Sequence, residues 1–317
     1  MRIVVFGTGG AGGYFGAQLA RAGEDVVFIA RGEHLNAIRT NGLRIETPEG
    51  AMVIRPAEAT EDPKQVTEAD VVLVGVKAWQ VRDAAQSIKP MMRPSTFVVP
   101  LQNGVEAATQ MTEVLTPESV LGGLCGTLSW VIGPGQIRCV SPAGPGNFIR
   151  FGELDKRPSE RCEALRKAFE RAGVVVEVPA DIQKALWEKF MMVTSFGGMG
   201  AITRAPIGTI RTVPETRRLL KACVLEIDAV ARARQIALAD TAVADTMRYL
   251  DTVPPPNGTT SLQRDITDCK PSELEFWNGA VVRLGREAGV PTPVHEAIYS
   301  FLLPQELLAR GKLAFAA

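Results

Sequence analysis

Residues 2–23, RIVVFGTGGAGGYFGAQLARAG, decide the fold. RIVVFG is a short apolar run that stops at a glycine, and GAGGYFGAQLARAG continues with helical spacing. DVVFIAR follows Gly23 as a second strand, so the chain opens as β-α-β. Between the first strand and the helix stands Gly7-Thr8-Gly9-Gly10-Ala11-Gly12, which has the G-x-G-x-x-G spacing. Each glycine has a mechanical reason. Gly7 permits the tight turn, Gly9 lets a pyrophosphate approach the backbone, and Gly12 lets helix and strand pack closely. The helix N-terminus adds unpaired N–H groups and the positive end of its dipole. In this context the stretch predicts a dinucleotide cradle made by Gly7, Thr8, Gly9, Gly10, Ala11 and Gly12.

Working outward, EHLNAIRTNG predicts a short helix and GLRIETPEGAMVIRP a hairpin turning at Pro48-Glu49-Gly50. ADVVLVGVKA (69–78) and STFVVPLQNG (95–104) predict strands, each followed by a helix (VRDAAQSI and VEAATQMTEVL). Alternation of this kind predicts a doubly wound, mainly parallel sheet. From 120 to 153 strands are separated by Gly and Pro, as in GPGQI and SPAGPGN. The helix SERCEALRKAFERAG and the strand VVVEVP then close this half. From Asp181 onward only helical patterns are found: DIQKALWEKFMMV, PETRRLLKACVLEIDAVARARQI, AVADTMRYL, SELEFWNGAVVRLGREAG and VHEAIYSFL. The expected division is a Rossmann domain at 1–179 and an all-α domain at 180–317, packed with a cleft between them because no low-complexity linker separates them.

Composition narrows the function classes. The chain has 317 residues, 46% of them hydrophobic and 22% charged, enough for a sizeable core in about two domains. Lys+Arg and Asp+Glu both number 35, so the basic field that nonspecific nucleic-acid binding needs is missing. No apolar run approaches the roughly 20 residues of a bilayer span, and MRIVVFG enters a strand without a signal-peptide layout. A soluble cytoplasmic protein is expected, with no membrane or nucleic-acid partner. The five cysteines are scattered and odd in number, which fits a reducing compartment. Neither histidine, His34 or His295, has a Cys or His at zinc-site spacing, so no metal is expected.

Arg31 follows the second strand where NAD binders place an acid for the ribose 2′-hydroxyl. A guanidinium favours a 2′-phosphate instead, so NADP(H) is the expected cofactor.

At this point the sequence resembles the ketopantoate reductase (2-dehydropantoate 2-reductase) family. The resemblance rests on the GxGxxG start, Arg31, VKAWQV, QNG at 102–104, WEK at 187–189 and SLQRDI…SELE at 261–275. It implies a Rossmann domain followed by a helical domain, and NADPH-dependent reduction of a small 2-keto acid. By the same resemblance Lys77 lies on the cofactor side, and Asn103 beside nicotinamide and substrate. An Asn-Gly turn at a strand C-terminus also lies where ligands bind in such sheets. Lys189 is implied as the general acid that protonates the carbonyl oxygen as hydride arrives; spacing alone does not separate it from Lys184. Glu273 is implied as the substrate-side carboxylate, with Glu275 as local competitor, and Ser261 as a hydroxyl for the substrate carboxylate. Read from the residues alone, Ser272 and Glu273 would be the cap and first-turn acid of the helix that follows.

The chain also departs from the family. Members on the pantothenate pathway carry asparagines four and eight residues after the catalytic lysine and another further on, where this chain has Val193, Gly197 and Ile207; Gly258 stands at a further such position, next to Asn257. A more apolar 2-keto acid, such as a branched-chain one, would suit these replacements. Other readings stay open: a β-hydroxyacid or opine dehydrogenase, or a non-catalytic NADP(H) sensor. Tyr-x-x-x-Lys is absent, since Gln18, Val253 and Leu303 stand four residues after Tyr14, Tyr249 and Tyr299. Oligomeric state is not fixed by sequence. A homodimer is compatible with it, but the apolar stripe Leu219, Leu220, Val224, Ile227, Val230 reads as core before it reads as a dimer seam.

Overall fold

The computed structural model describes residues 1–141, 144 and 146–314, so part of the SPAGPGN turn lies outside the described residues. The chain divides into two compact units, the first formed by 1–102 and 106–183, the second by 103–105 and 184–317. The division falls after Gln183, inside a helix, where sequence texture placed it at Pro179. Residues 103–105, the Asn-Gly turn and the valine after it, go with the second unit.

In the first unit, β1 (Arg2–Phe6), β2 (Asp25–Ile29), β5 (Glu58–Thr60), β6 (Val71–Val74) and β7 (Phe97–Pro100) form a parallel sheet in the order β5-β2-β1-β6-β7. Its strands alternate their side chains between two buried faces, as a parallel sheet requires. Ile3, Val5, Phe28, Leu73 and Val99 face a core shared with α1 (Gly10–Arg21) and α5 (Glu160–Arg171). Val4, Phe6, Val27, Val72 and Val98 face α3 (Val81–Ile88) and α4 (Ala107–Thr112). Between β2 and β5 run α2 (Gly32–Asn41) and an antiparallel hairpin, β3 (Leu43–Thr47) with β4 (Gly50–Ile54), which turns over Pro48-Glu49.

The strands between 120 and 153 do not extend the parallel sheet. β9 (Ser129–Gly133) and β10 (Gln136–Cys139) join the hairpin in the order β4-β3-β10-β9, whereas β8 (Leu121–Gly126), β11 (Phe148–Glu153) and β12 (Val175–Glu177) form a third sheet. None of the five cysteines forms a disulfide.

The second unit is helical: α6 (Ile182–Thr203), which begins in the first unit, α7 (Ile207–Thr212), α8 (Pro214–Ala233), α9 (Ala242–Thr252), α10 (Ser261–Thr267), α11 (Asn278–Ala288) and α12 (Pro293–Ala309). No strand occurs there among the described residues. On α8, Leu220, Val224, Ile227 and Val230 are buried as the 3.6-residue period demands, while Leu219 lies off the stripe and is exposed. SELEFWNGAVVRLGREAG is not one helix. A 3₁₀ turn over Leu274–Phe276 stops at Trp277, whose backbone (φ −110°, ψ −91°) is not helical, and α11 starts anew at Asn278. Trp277 is fully buried, so the indole's packing overrides local helical propensity. Among the described residues no helix is long and apolar enough to cross a membrane.

His295 is a structural element of this core. It is fully buried, with Nε2–H donating to the Cys223 carbonyl (3.1 Å) and Nδ1 accepting from the Asn278 amide (3.0 Å). Glu226 accepts the N–H groups of Val294 and His295 at the start of α12. Burial pushes the imidazole down to about 4 from its ordinary 6.5. The unfolded chain therefore takes up this proton before the folded one does. Stability is fully present above pH 6.5 and erodes as pH falls toward 4, by up to about 3 kcal/mol. Denaturant midpoints measured between about pH 7 and pH 4.5 are expected to fall in the wild type, and to fall less in His295→Asn.

Candidate functional site

The turn after β1 is built by the absence of side chains. Gly7 has φ +98°, a region open to glycine. A Cβ at Gly12 would fall 2.3 Å from the Gly7 carbonyl oxygen, so α1 and β1 are in backbone contact there. Sequence reading missed the third partner, Gly75 at the end of β6, where a Cβ would fall 2.9 Å from both Gly12 Cα and Gly7 O. At Gly9, by contrast, a Cβ would find its nearest neighbour, the Gly75 oxygen, at 4.0 Å. The turn is thus tight behind and open at Gly9, as a pyrophosphate cradle requires. No side chain caps α1, and its first turn holds no acid. The orphan N–H groups of that turn remain for an anion.

Thr8 does not present its hydroxyl to this opening. It is buried, and both its Oγ1 (3.0 Å) and its N–H (3.2 Å) donate to the Ile29 carbonyl at the end of β2. Arg31, exposed, is the N-cap residue of α2 directly beyond that strand end. Three residues on, half-buried His34 bonds the cradle. Its Nε2–H donates to the Thr8 carbonyl (2.9 Å) while Nδ1 accepts from Gly135 N–H (3.0 Å), so the ring is neutral with the proton on Nε2. Burial holds its pKa below the usual histidine range. Neither its charge state nor its partners suit an acid–base role. From the other side β9 closes over the turn: a Cβ at Gly10 would lie 2.2 Å from the Ser129 carbonyl oxygen. Lys77 follows β6, half-buried, with its ammonium 5.8 Å from the Trp79 ring centre. Gln102, also missed, spans the ends of β6 and β7: its Nε2 donates to the carbonyls of Val74 and Val76, each at 2.9 Å.

The second unit gathers the other expected residues. Lys189 is half-buried on α6, between inward-facing Trp187 and Phe190, whose rings meet edge to face at 5.7 Å. Its competitor Lys184 forms an i,i+4 surface ion pair with Glu188 (3.8 Å). Further along α6, small residues admit neighbours closely. A Cβ at Gly197 would fall 2.6 Å from the Trp277 ring and 3.4 Å from Leu262. One at Gly198 would meet Asn278, and one at Gly200 would meet Gln263. This packing draws the start of α10, with Ser261 as its first residue behind the Thr260 cap, and the Glu273–Asn278 segment onto α6. Asn103 arrives beside the same segment, since a Cβ at the neighbouring Gly104 would lie 3.2 Å from the Phe276 carbonyl oxygen.

Glu273 is buried, and its carbonyl accepts from the N–H groups of Phe276 and Trp277 (both 3.0 Å). It precedes the 3₁₀ turn as its N-cap residue and is not a first-turn acid of a long helix. Glu275 is occupied elsewhere, accepting from Tyr299 (2.6 Å) and Arg283 (2.8 Å). Val193 is half-buried, Ile207 is buried, and the space beside Gly197 is filled by indole. An asparagine side chain at 197 has no room unless Trp277 moves.

Comparison with known proteins finds relatives along nearly the whole chain. Residues 3–155 match the family described as ketopantoate reductase PanE/ApbA, and 181–306 match its C-terminal domain. The chain is 26% identical over 302 residues to an uncharacterized oxidoreductase, YkpB, of Bacillus subtilis (95% of this chain, 98% of that protein). It is 30% identical over 297 residues to the 2-dehydropantoate 2-reductase of Halobacterium salinarum (93% and 95%). A crystal structure of a PanE/ApbA family ketopantoate reductase from Ralstonia eutropha superposes with a TM-score of 0.88 at 31% identity, covering 98% of this chain and 100% of that one.

Two glycine substitutions separate folding from binding in the cradle. Gly12→Ala forces its methyl against the Gly7 carbonyl and is expected to destabilise the protein by about 1–3 kcal/mol. Gly9→Ala meets open space with an extended backbone (φ −83°, ψ −162°). It is expected to leave thermal unfolding nearly unchanged while weakening dinucleotide binding about tenfold or more. Calorimetric unfolding and a dinucleotide titration on both variants check this pair.

Proposed function

The chain belongs to the ketopantoate reductase family, and we propose on that footing that it reduces a small 2-keto acid to the 2-hydroxy acid with NADPH, in the manner of a 2-dehydropantoate 2-reductase. The observation that carries the reading is the turn at Gly7–Gly12: closed by backbone contact at Gly12 and open at Gly9, it stands before an uncapped helix start, with Arg31 at the end of the adjacent strand.

In this reading Gly7–Gly12 and the first N–H groups of α1 hold the pyrophosphate, and Arg31 takes the 2′-phosphate. Lys77 and Asn103 serve the nicotinamide side. When bound, the dinucleotide supplies the hydride. The chain's own part is to place the keto acid and manage the proton. Ser261 and Asn103 hold the substrate carboxylate, Lys189 donates a proton from Nζ to the carbonyl oxygen, and Glu273 fixes the lysine and substrate relative to each other. Lysine is the chemically suitable donor because both histidines are locked as neutral hydrogen-bonding struts.

A second reading, that the preferred 2-keto acid has an apolar tail, is favoured by Trp277, whose ring occupies the space a polar side chain at 197 would need.

Oxidation of NADPH with ketopantoate, beside 2-keto acids of similar size with apolar tails, separates the two readings. Turnover without an amine disposes of an opine dehydrogenase, and any turnover disposes of a sensor. With the best substrate, Lys189→Ala is expected to lower kcat by about 10²–10⁴-fold, NADPH affinity being kept. Unchanged turnover removes Lys189 from the site. Arg31→Ala is expected to narrow the preference for NADPH over NADH, and an unaltered ratio removes the 2′-phosphate assignment.

A further inference from the structure

We infer that Glu306, on the last helix, is a positioning residue for Glu273, acting through Ser272. This rests on the reading that Glu273 belongs to the active site.

Ser272 is fully buried, and Glu306 and Arg310 engage each of its polar groups. Its N–H donates to both Glu306 oxygens (3.2 and 3.0 Å), and its hydroxyl donates to Glu306 Oε2. Its carbonyl accepts from Arg310 Nη2 (2.9 Å), and Arg310 Nε donates back to Glu306 Oε1. Ser272 Oγ also accepts Leu274 N–H (3.3 Å), so the clamp reaches across Glu273. Beyond it, Glu275 is held by Tyr299, again from α12, and by Arg283. Ser272, before Glu273, is thereby fixed to α12 through its backbone, and Glu275, after it, through its side chain, so the segment that carries Glu273 is tied to that helix.

The chemistry of the clamp favours positioning over mere stability. Glu306 is 4% exposed. A buried ion pair contributes little or nothing net when compared with apolar residues of the same size. What it does supply is directional bonds that leave a single geometry for the turn. General acid catalysis is sensitive to that geometry, since a displacement of about 1 Å can lower rates about 10²-fold.

The test is Glu306→Ala and Glu306→Gln, each in the wild type and in Glu273→Gln, with kcat and KM for the best 2-keto acid and Kd for NADPH. Expected is a loss in kcat of about tenfold or more for Glu306→Ala, with NADPH Kd unchanged. Glu306→Gln, which keeps an acceptor for Ser272, should recover most of the rate. In the Glu273→Gln background the Glu306→Ala loss should vanish, because the residue it serves is gone. A folded Glu306→Ala enzyme with wild-type kcat overturns the inference, as does an equal loss in both backgrounds. Should Glu306→Ala not fold, Ser272→Ala removes one bond of the clamp and is read by the same criteria. Unchanged kcat/KM in Glu273→Gln alone overturns both the role of Glu273 and this inference. A loss there with none in the Glu306 variants overturns the inference alone.

Discussion

Helix α1 starts where it does because three residues that meet there, Gly7, Gly12 and Gly75, have no side chains. Their backbones touch, which sets the helix N-terminus against the ends of β1 and β6 and leaves Gly9 facing open space. The small four-stranded sheet depends on the same contact. Ser129 of β9 lies against Gly10, and His34 links the Thr8 carbonyl to Gly135, which immediately precedes β10. A methyl group at residue 7, 12 or 75 would therefore disturb a helix start, a strand end and the seat of a second sheet together. The same geometry exposes the N–H groups that suit a phosphate.

The second unit uses small residues for a different purpose. Gly197, Gly198 and Gly200 let Trp277, Asn278 and Gln263 approach α6 closely. Several polar atoms there have no hydrogen-bond partner among the described residues, including Thr194 Oγ1, Ser195 Oγ, Trp277 Nε1 and Asn278 Oδ1. Buried unpaired polar groups are unfavourable by about 1–3 kcal/mol each. The effect of the three glycines on shape is plain: the segments bearing Ser261 and Glu273 are seated on the helix that carries Lys189.

Four strands of the parallel sheet were legible because they are apolar on both faces, three of them ending at glycine or an Asn-Gly turn, and the cradle because it needs those glycines at that spacing; β5, the short and polar Glu58–Thr60, gave no such pattern. The strands between 120 and 153 were visible, but not their partners, since a short strand does not state whether it pairs with β3 or β7. The break at Trp277 was hidden because FWNGAVVRLG keeps helical spacing while the indole's burial decides the backbone. Glu306 gave no signal at all. It sits 34 residues from Ser272 on an ordinary helical pattern, and only the fold brings them together.

Glu273 and Glu275 show how the fold gives identical side chains two residues apart different surroundings. Glu275 receives a phenol and a guanidinium. Burial and that same carboxylate push the Tyr299 hydroxyl up to about 12, so it remains a donor at any physiological pH. Glu275 is thus an anchor whose acceptor capacity is spent within the wall. Glu273 lies between this anchor and the Ser272 clamp, which together tie its segment to α12. A site residue is most precise where the elements around it fix its position. In the proposed reading, Glu275 is spent on the phenol and the guanidinium, and Glu273 is the member of SELE assigned to orient the proton donor.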